Sequence, residues 1–224
     1  MNIYFLVEGK TERRIYPKWL SHLLPDFTRI ENAYDAAKQN FYLFYGGGFP
    51  SLLYNHLKNA IEEINDIDKY NYLVICLDAD EFSVEERRNE VFQFIEKQKL
   101  TLNNFTELVV IVQNRCIETW FLGNASILKT NTEKEDLKNF ISFYNVAEND
   151  PEQMPSHRNF RNHASFHEAY LKEILQERNI AYSKAFPKAV DEKYYLDKLI
   201  NRFSTTQHIS SFGDFLDFCK KISN

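Results

Sequence analysis

Much that usually marks a protein's chemistry is missing from this chain of 224 residues. Its three cysteines, Cys76, Cys116 and Cys219, are odd in number and form no CxxC pair. That excludes a disulfide framework and paired-thiolate zinc modules, and it implies a reducing compartment. No apolar run approaches the ~18–20 residues needed to span a bilayer. The N-terminal run Ile3–Val7 is too short for a signal peptide and is followed at once by charge, so the expected location is the cytoplasm, with no membrane attachment. Charge of one sign is not abundant either: 27 Lys+Arg stand against 32 Asp+Glu, a net −5, which excludes an obvious polyanion binder. The one glycine run, Gly46-Gly47-Gly48, lacks both a following GKS or GKT and GxGxxG spacing, so neither a Walker loop nor a dinucleotide fingerprint is present. Internal repeats, heptad arrays and low-complexity tracts are absent.

What is present is an ordinary globular composition, 44% hydrophobic, with 19 Phe and 13 Tyr that predict a core packed with rings. Charge is uneven. Residues 1–153 carry 16 Lys+Arg against 24 Asp+Glu, and residues 154–224 carry 11 against 8 together with four of the six histidines. Apolar runs of strand length occur at Asn2–Val7, Phe41–Tyr45, Tyr72–Leu77 and Glu107–Gln113, with helical periodicity between them at Glu12–Leu24, from Pro50-Ser51 to about Ile64, and at Val84–Lys99. Thr11 and Ser83 are the expected N-caps of the first and third helices. Alternation of this kind predicts an α/β fold: a mostly parallel, four-stranded, Rossmann-like sheet with right-handed crossovers. Beyond Cys116–Gly123 the pattern becomes helical, with Ser165–Arg178, Glu192–Phe203 and Phe212–Ile222 as its main segments. The expected division is a catalytic domain over 1–123 and a mostly helical extension over 124–224.

The chemistry gathers at strand ends. Tyr72–Leu77 stops abruptly in Asp78-Ala79-Asp80, and alternation along an extended backbone would send both aspartates to one side. Glu8 closes the first strand, with Gly9 allowing a tight turn into the helix. Ligands bind at the carboxyl ends of strands in open α/β sheets, and three carboxylates there suit Mg²⁺ or Mn²⁺. Such an ion neutralises a phosphodiester and activates a nucleophile, while a free carboxylate, Glu8 or Glu12, takes part in proton transfer.

The pieces FLVEGKTE (Phe5–Glu12), the glycine turn Tyr45–Gly48 and VICLDADEF (Val74–Phe82), in that order across about residues 1–115, resemble the Toprim domain. That domain is shared by primases, topoisomerases, OLD-family nucleases and small stand-alone relatives. The resemblance implies Glu8 as catalytic glutamate and Asp78 and Asp80 as metal ligands. The acid four residues after Glu8 is similar to the OLD-type branch, which adds Glu12. Glu118, within IETWFL, is the nearest match to a further acid after the fourth strand. A topoisomerase tyrosine context and primase zinc modules are missing, and the chain has no room for an ATPase domain, so ATP use would need a separate ATPase partner.

Other candidates are weaker. Lys10 and the segment SHRNFR, with His157, Arg158 and Arg161 around Phe160, have the make-up of a phosphate-backbone contact. His163 and His167 stand at i, i+4, a spacing that also suits zinc. Lys184 could set a cation against a transition-state phosphate. Trp19 and Trp120 read as core. The resulting expectation is a Mg²⁺-dependent nuclease acting on DNA or RNA, as a phage-defence effector working with a separate ATPase. The alternatives are a non-catalytic Toprim-like subunit that binds nucleic acid or an ATPase, and a small primase-like nucleotidyltransferase. Self-association as a homo-oligomer is compatible with each.

Overall fold

The computed structural model describes residues 1–129 and 131–223. Among these the sheet has five strands: β1 (Asn2–Val7), β2 (Thr28–Ile30), β3 (Asn40–Tyr45), β4 (Tyr72–Asp78) and β5 (Glu107–Gln113), in the order β2-β3-β1-β4-β5. The four apolar runs of the sequence are β1, β3, β4 and β5. The expected count of four strands is corrected to five by β2, a three-residue edge strand that pairs in parallel with β3. Its residues are exposed or half-buried, so it carries no apolar run by which to be recognised.

β1 is central and buried from end to end, with parallel partners β3 and β4 that place Val7 opposite Tyr45 and Cys76. Asparagines fix the register at the other end: the Asn2 backbone N–H donates to Asn71 Oδ1 at 2.8 Å, and the Asn40 N–H donates to Asn2 Oδ1 at 3.0 Å.

The helices are α1 (Lys10–Leu23), α2 (Lys58–Ile67), α3 (Val84–Lys97), α4 (Ile117–Leu122), α5 (Glu135–Phe143), α6 (His163–Gln176), α7 (Lys193–Thr206) and α8 (Ser210–Ser223). Two local expectations change. The N-cap of α1 is Gly9, and Thr11 lies buried inside the helix. The helix after the glycine turn begins as a π-helical stretch, Leu52–Leu57, before α2.

The chain divides into two compact units. The first comprises Met1–Leu77 and Val84–Val112; the second comprises Asp78–Ser83 and Gln113–Ile222. The first holds almost the whole sheet with α1 to α3, and its core includes Trp19, Tyr4 and Tyr70, with the ring of half-buried Tyr42 edge-on to Tyr4. The second holds α4 to α8, the helical C-terminal region the sequence predicts.

Trp120 of α4 is fully buried against Phe212 and Phe215 of α8 and donates its indole N–H to Ser211 Oγ at 2.7 Å. Ser211 in turn bonds the carboxylate of Glu152 through its N–H and hydroxyl, and Ser210 Oγ donates to the same carboxylate at 2.9 Å. A buried acid thus receives the first donors of α8, the arrangement a helix N-terminus favours. No helix among the described residues is long and apolar enough to cross a membrane.

Candidate active site

In the first unit the glycine turn builds the seat of Glu8. The Gly46 N–H donates to Val7 O at 2.8 Å, the Gly48 N–H to Glu8 O at 3.0 Å, and the Phe49 N–H to the Glu8 carboxylate at 3.1 Å. Gly47 and Gly48 lie at φ +76° and +92°, a region L side chains rarely adopt. The glycines are therefore demanded by backbone that wraps a carboxylate, which is more than the flexible turn their composition suggests. On its other side the Glu8 N–H donates to Cys76 O at 2.9 Å.

Gly9 serves a different purpose from the one expected. Its φ of −103° is open to any residue, but a Cβ built there would overlap the carboxylate of Glu12. The glycine makes room for Glu12, which is buried in the first turn of α1. Lys10 is exposed beside them.

In the second unit the aspartates do not follow strand alternation. β4 ends at Asp78, and Asp80 has φ +53°. Its place is set by a turn: the Ala79 N–H donates to Gln113 O and the Asp80 N–H to Arg115 O, both at 2.9 Å, and Phe82 N–H closes onto Ala79 O at 3.0 Å. The Arg115 guanidinium reaches back to the carbonyls of Asp80 and Phe82, at 3.2 and 3.3 Å. A short polar side chain is among the few that tolerate this left-handed position.

Glu118 and Lys184, 66 positions apart, come together. Glu118 is fully buried in α4, accepts a hydrogen bond from the Tyr182 hydroxyl at 2.9 Å, and lies 3.6 Å from Lys184 Nζ. Lys184 stands at the same distance from Glu168 and keeps about half its side chain exposed. Burial acts to lower the pKa of this ammonium, but Glu118, Cys116, Glu168 and Asp78 outweigh it and raise the pKa. Burial pushes the Cys116 thiol far up, helped by Glu118 and Asp78, which leaves it an inert thiol. Asp78, Glu118 and Lys184 therefore share one electrostatic neighbourhood.

Two other sequence candidates take structural roles. His163 Nδ1 lies 2.7 Å from Glu81, whose other oxygen accepts the His163 backbone N–H at 2.8 Å. His167 is buried, bonds Thr119 Oγ1 at 2.8 Å, and has its pKa lowered to about 3 by burial first and then by His163 and Arg115. The His163/His167 spacing thus serves separate partners. In SHRNFR, His157 packs into the rings of Phe140, Phe143, Phe160 and Phe166, while Arg158 and Arg161 are exposed. Missed by sequence reasoning are Tyr182, Glu168 and Arg115, whose roles depend on partners distant in sequence.

Among the described residues, no group of three or more His, Cys, Asp and Glu forms a metal-binding cluster. The donors in the Asp78–Asp80 turn are nonetheless hard carboxylate oxygens. Mg²⁺ is usually held through one or two carboxylates, with waters and substrate phosphates completing its shell, so the donor set fits a Mg²⁺-type ion in kind.

Residues 7–216 match a family model described as a domain of unknown function, DUF4276. No curated protein and no solved structure matches the chain.

Proposed function

The chain belongs to the DUF4276 family, and we propose that it is a divalent-metal-dependent nuclease that hydrolyses phosphodiester bonds in DNA or RNA. The observation that carries this reading is the buried Glu118 held by Tyr182 and paired with a half-exposed Lys184, within the electrostatic reach of Asp78. Acid and base side chains of this kind suit the handling of a phosphate. Asp78 and Asp80 would hold the metal ion, which supplies charge neutralisation at the phosphodiester. Lys184 presents a cation to the charge that develops on phosphate oxygens, and Glu118 holds that cation in place. Glu8 and Glu12 enter the proposal through the Toprim resemblance alone, which implies Glu8 as the catalytic glutamate and proton acceptor.

The resemblance also suggests a cytoplasmic effector of phage defence acting with a separate ATPase. A second reading, a non-catalytic subunit that binds nucleic acid or an ATPase, draws on the lack of a preformed three-residue metal cluster among the described residues. Incubating the purified protein with plasmid, single-stranded DNA and RNA in Mg²⁺, Mn²⁺ or EDTA separates the two. Metal-dependent cutting lost in Asp78→Ala and Lys184→Ala supports the nuclease. Binding without cutting in any metal supports the subunit.

A further inference from the structure

The second unit holds a cleft of about 230 Å³ between α7 and the segment that follows α4. Among the described residues its lining contains no Asp or Glu and two cations, Lys198 and Arg202. The Arg202 guanidinium is directed to neutral acceptors, the carbonyls of Val146, Ala147 and Asn149 and the ring Nδ1 of His208. Asp150, the acid whose field reaches Arg202, accepts the backbone N–H groups of Glu152 and Ile209. Lys198 is half-buried, with its ammonium 5.0 Å from the centre of the Tyr194 ring. Its neighbour in sequence, Asp197, is bonded to Lys193 instead. The cleft is thus positive, and no carboxylate in contact with it neutralises that charge.

The hydrogen-bonding capacity of the lining is divided. Asn124, 1% exposed, accepts the N–H and the hydroxyl of Ser126 at its Oδ1, at 3.2 and 2.7 Å. That fixes the other end of the amide as NH₂, which is buried and meets no acceptor among the described residues. A buried donor left unmade is costly, and an anionic oxygen bound to it would remove the cost. The hydroxyls have the opposite capacity. Ser126 donates to Asn124, Thr205 to Asn201 O at 2.8 Å, and Thr206 to Arg202 O at 2.7 Å. With each hydrogen committed inward, each oxygen can only accept. A ligand matched to this lining brings an anion for Lys198 and the Asn124 amide, and hydroxyl donors for the three oxygens.

We infer that this cleft binds a small sugar phosphate. A phosphate group carries the charge that two cations without a carboxylate partner call for, and its oxygens are strong acceptors for charged donors. The sugar hydroxyls supply the donors that Ser126, Thr205 and Thr206 can accept. Pockets for drug-sized ligands run to roughly 300–1,000 Å³, so a cleft of about 230 Å³ suits a small metabolite. The site shares no residue with the candidate active site, and it stands or falls independently of the nuclease reading.

Equilibrium dialysis of the full chain against labelled probes tests this. The probes are ribose 5-phosphate, glucose 6-phosphate, the two unphosphorylated sugars and inorganic phosphate. The expected result is that at least one sugar phosphate binds at least tenfold tighter than its parent sugar and than inorganic phosphate. Lys198→Gln weakens that binding about tenfold, and Lys198→Arg, which keeps the charge, restores most of it. Thr205→Val removes one acceptor without changing charge. It weakens the sugar phosphate about threefold and leaves inorganic phosphate unaffected. Thermal melts without ligand check that the variants are folded.

Retention of neither sugar phosphate at millimolar concentration would overturn the inference. So would inorganic phosphate or a parent sugar bound as tightly as the sugar phosphate, or a folded Lys198→Gln or Thr205→Val protein that binds like the parent.

Discussion

Replacing Tyr182 by Phe removes one oxygen atom from the second unit and tests whether Glu118 is held as an anion. The hydroxyl donates at 2.9 Å to a carboxylate with no exposed surface. Hydrogen bonds to charged groups contribute about 1.5–3 kcal/mol. Glu118 has little water to replace the lost donor, so about 2 kcal/mol or more is expected. In a chain of this size each kcal/mol lowers Tm by roughly 2–4 °C, which gives a drop of about 4–8 °C. Trp120 lies two residues from Glu118 in the same helix, so its fluorescence in a Trp19→Phe background follows the unit concerned.

The Glu118→Gln background supplies the control. There the tyrosine faces a neutral amide, and the same substitution should cost only about 1 kcal/mol. The difference of roughly 1 kcal/mol is the coupling a double-mutant cycle reads. A loss below about 0.5 kcal/mol from Tyr182→Phe, or strict additivity in the cycle, would refute a buried anion held by that hydroxyl.

The remaining predictions follow from other buried groups. His167 has a folded pKa of about 3 against an ordinary 6.5. Above pH 6.5 it contributes no pH dependence; below, the unfolded chain takes up a proton that the fold refuses, and stability falls by about 1.4 kcal/mol per pH unit toward pH 3. Urea titrations at pH 7 and 5 should differ by roughly 2 kcal/mol more in the parent than in His167→Gln. Burial raises the pKa of Glu152, with bonds from Ser211 and Ser210 opposing the rise. Its contribution therefore has the opposite sign, greatest at low pH and declining as pH climbs above the ordinary carboxylate range. Glu152→Ala strips the acceptor from the start of α8 and should cost about 2–4 kcal/mol in urea unfolding. Gly9→Ala would force Glu12 aside at a cost of about 1–3 kcal/mol; if Glu12 serves catalysis, cleavage by this variant should fall further than its thermal melt accounts for.

The long apolar runs made β1, β3, β4 and β5 legible, because strands buried on both faces must be apolar throughout. The same rule hid β2, whose Thr-Arg-Ile sits at an edge and needs no apolar face. Helical periodicity located α6, α7 and α8 to within a few residues. The apolar run located the strand that ends at Asp78, but alternation does not extend to Asp80, because the chain leaves extended backbone between them and its path is then set by hydrogen bonds to Gln113 and Arg115. Glu118 and Lys184 were each visible as single residues, one by resemblance and one by its charge. Their pairing was not, since it depends on how the turn that carries Lys184, between α6 and α7, folds back to α4 across 66 positions. Glu152 had no signal at all: an acid in Pro-Glu-Gln reads as a solvated loop until Ser211 and Trp120 close over it.

Two of the carboxylates in the proposal, Glu8 and Glu118, are held by different means, and this sets how each unit should respond to change. Glu8 is seated by backbone: the Gly48 N–H donates to its carbonyl, the Phe49 N–H donates to its carboxylate, and its own N–H donates to Cys76 O. Side chains there can vary as long as the positive-φ glycines remain, so the signature of that seat is a glycine pattern. Glu118 is seated by side chains, the Tyr182 hydroxyl and the Lys184 ammonium. Each of those can be lost by one substitution, and a buried anion left with neither partner costs more than a neutral residue in its place. Loss of Lys184 should therefore be tolerated best where Glu118 is also replaced by a neutral residue such as Gln. Among DUF4276 sequences the two positions should be kept together or lost together, and frequent Glu118 opposite an apolar residue at 184 would contradict the pairing.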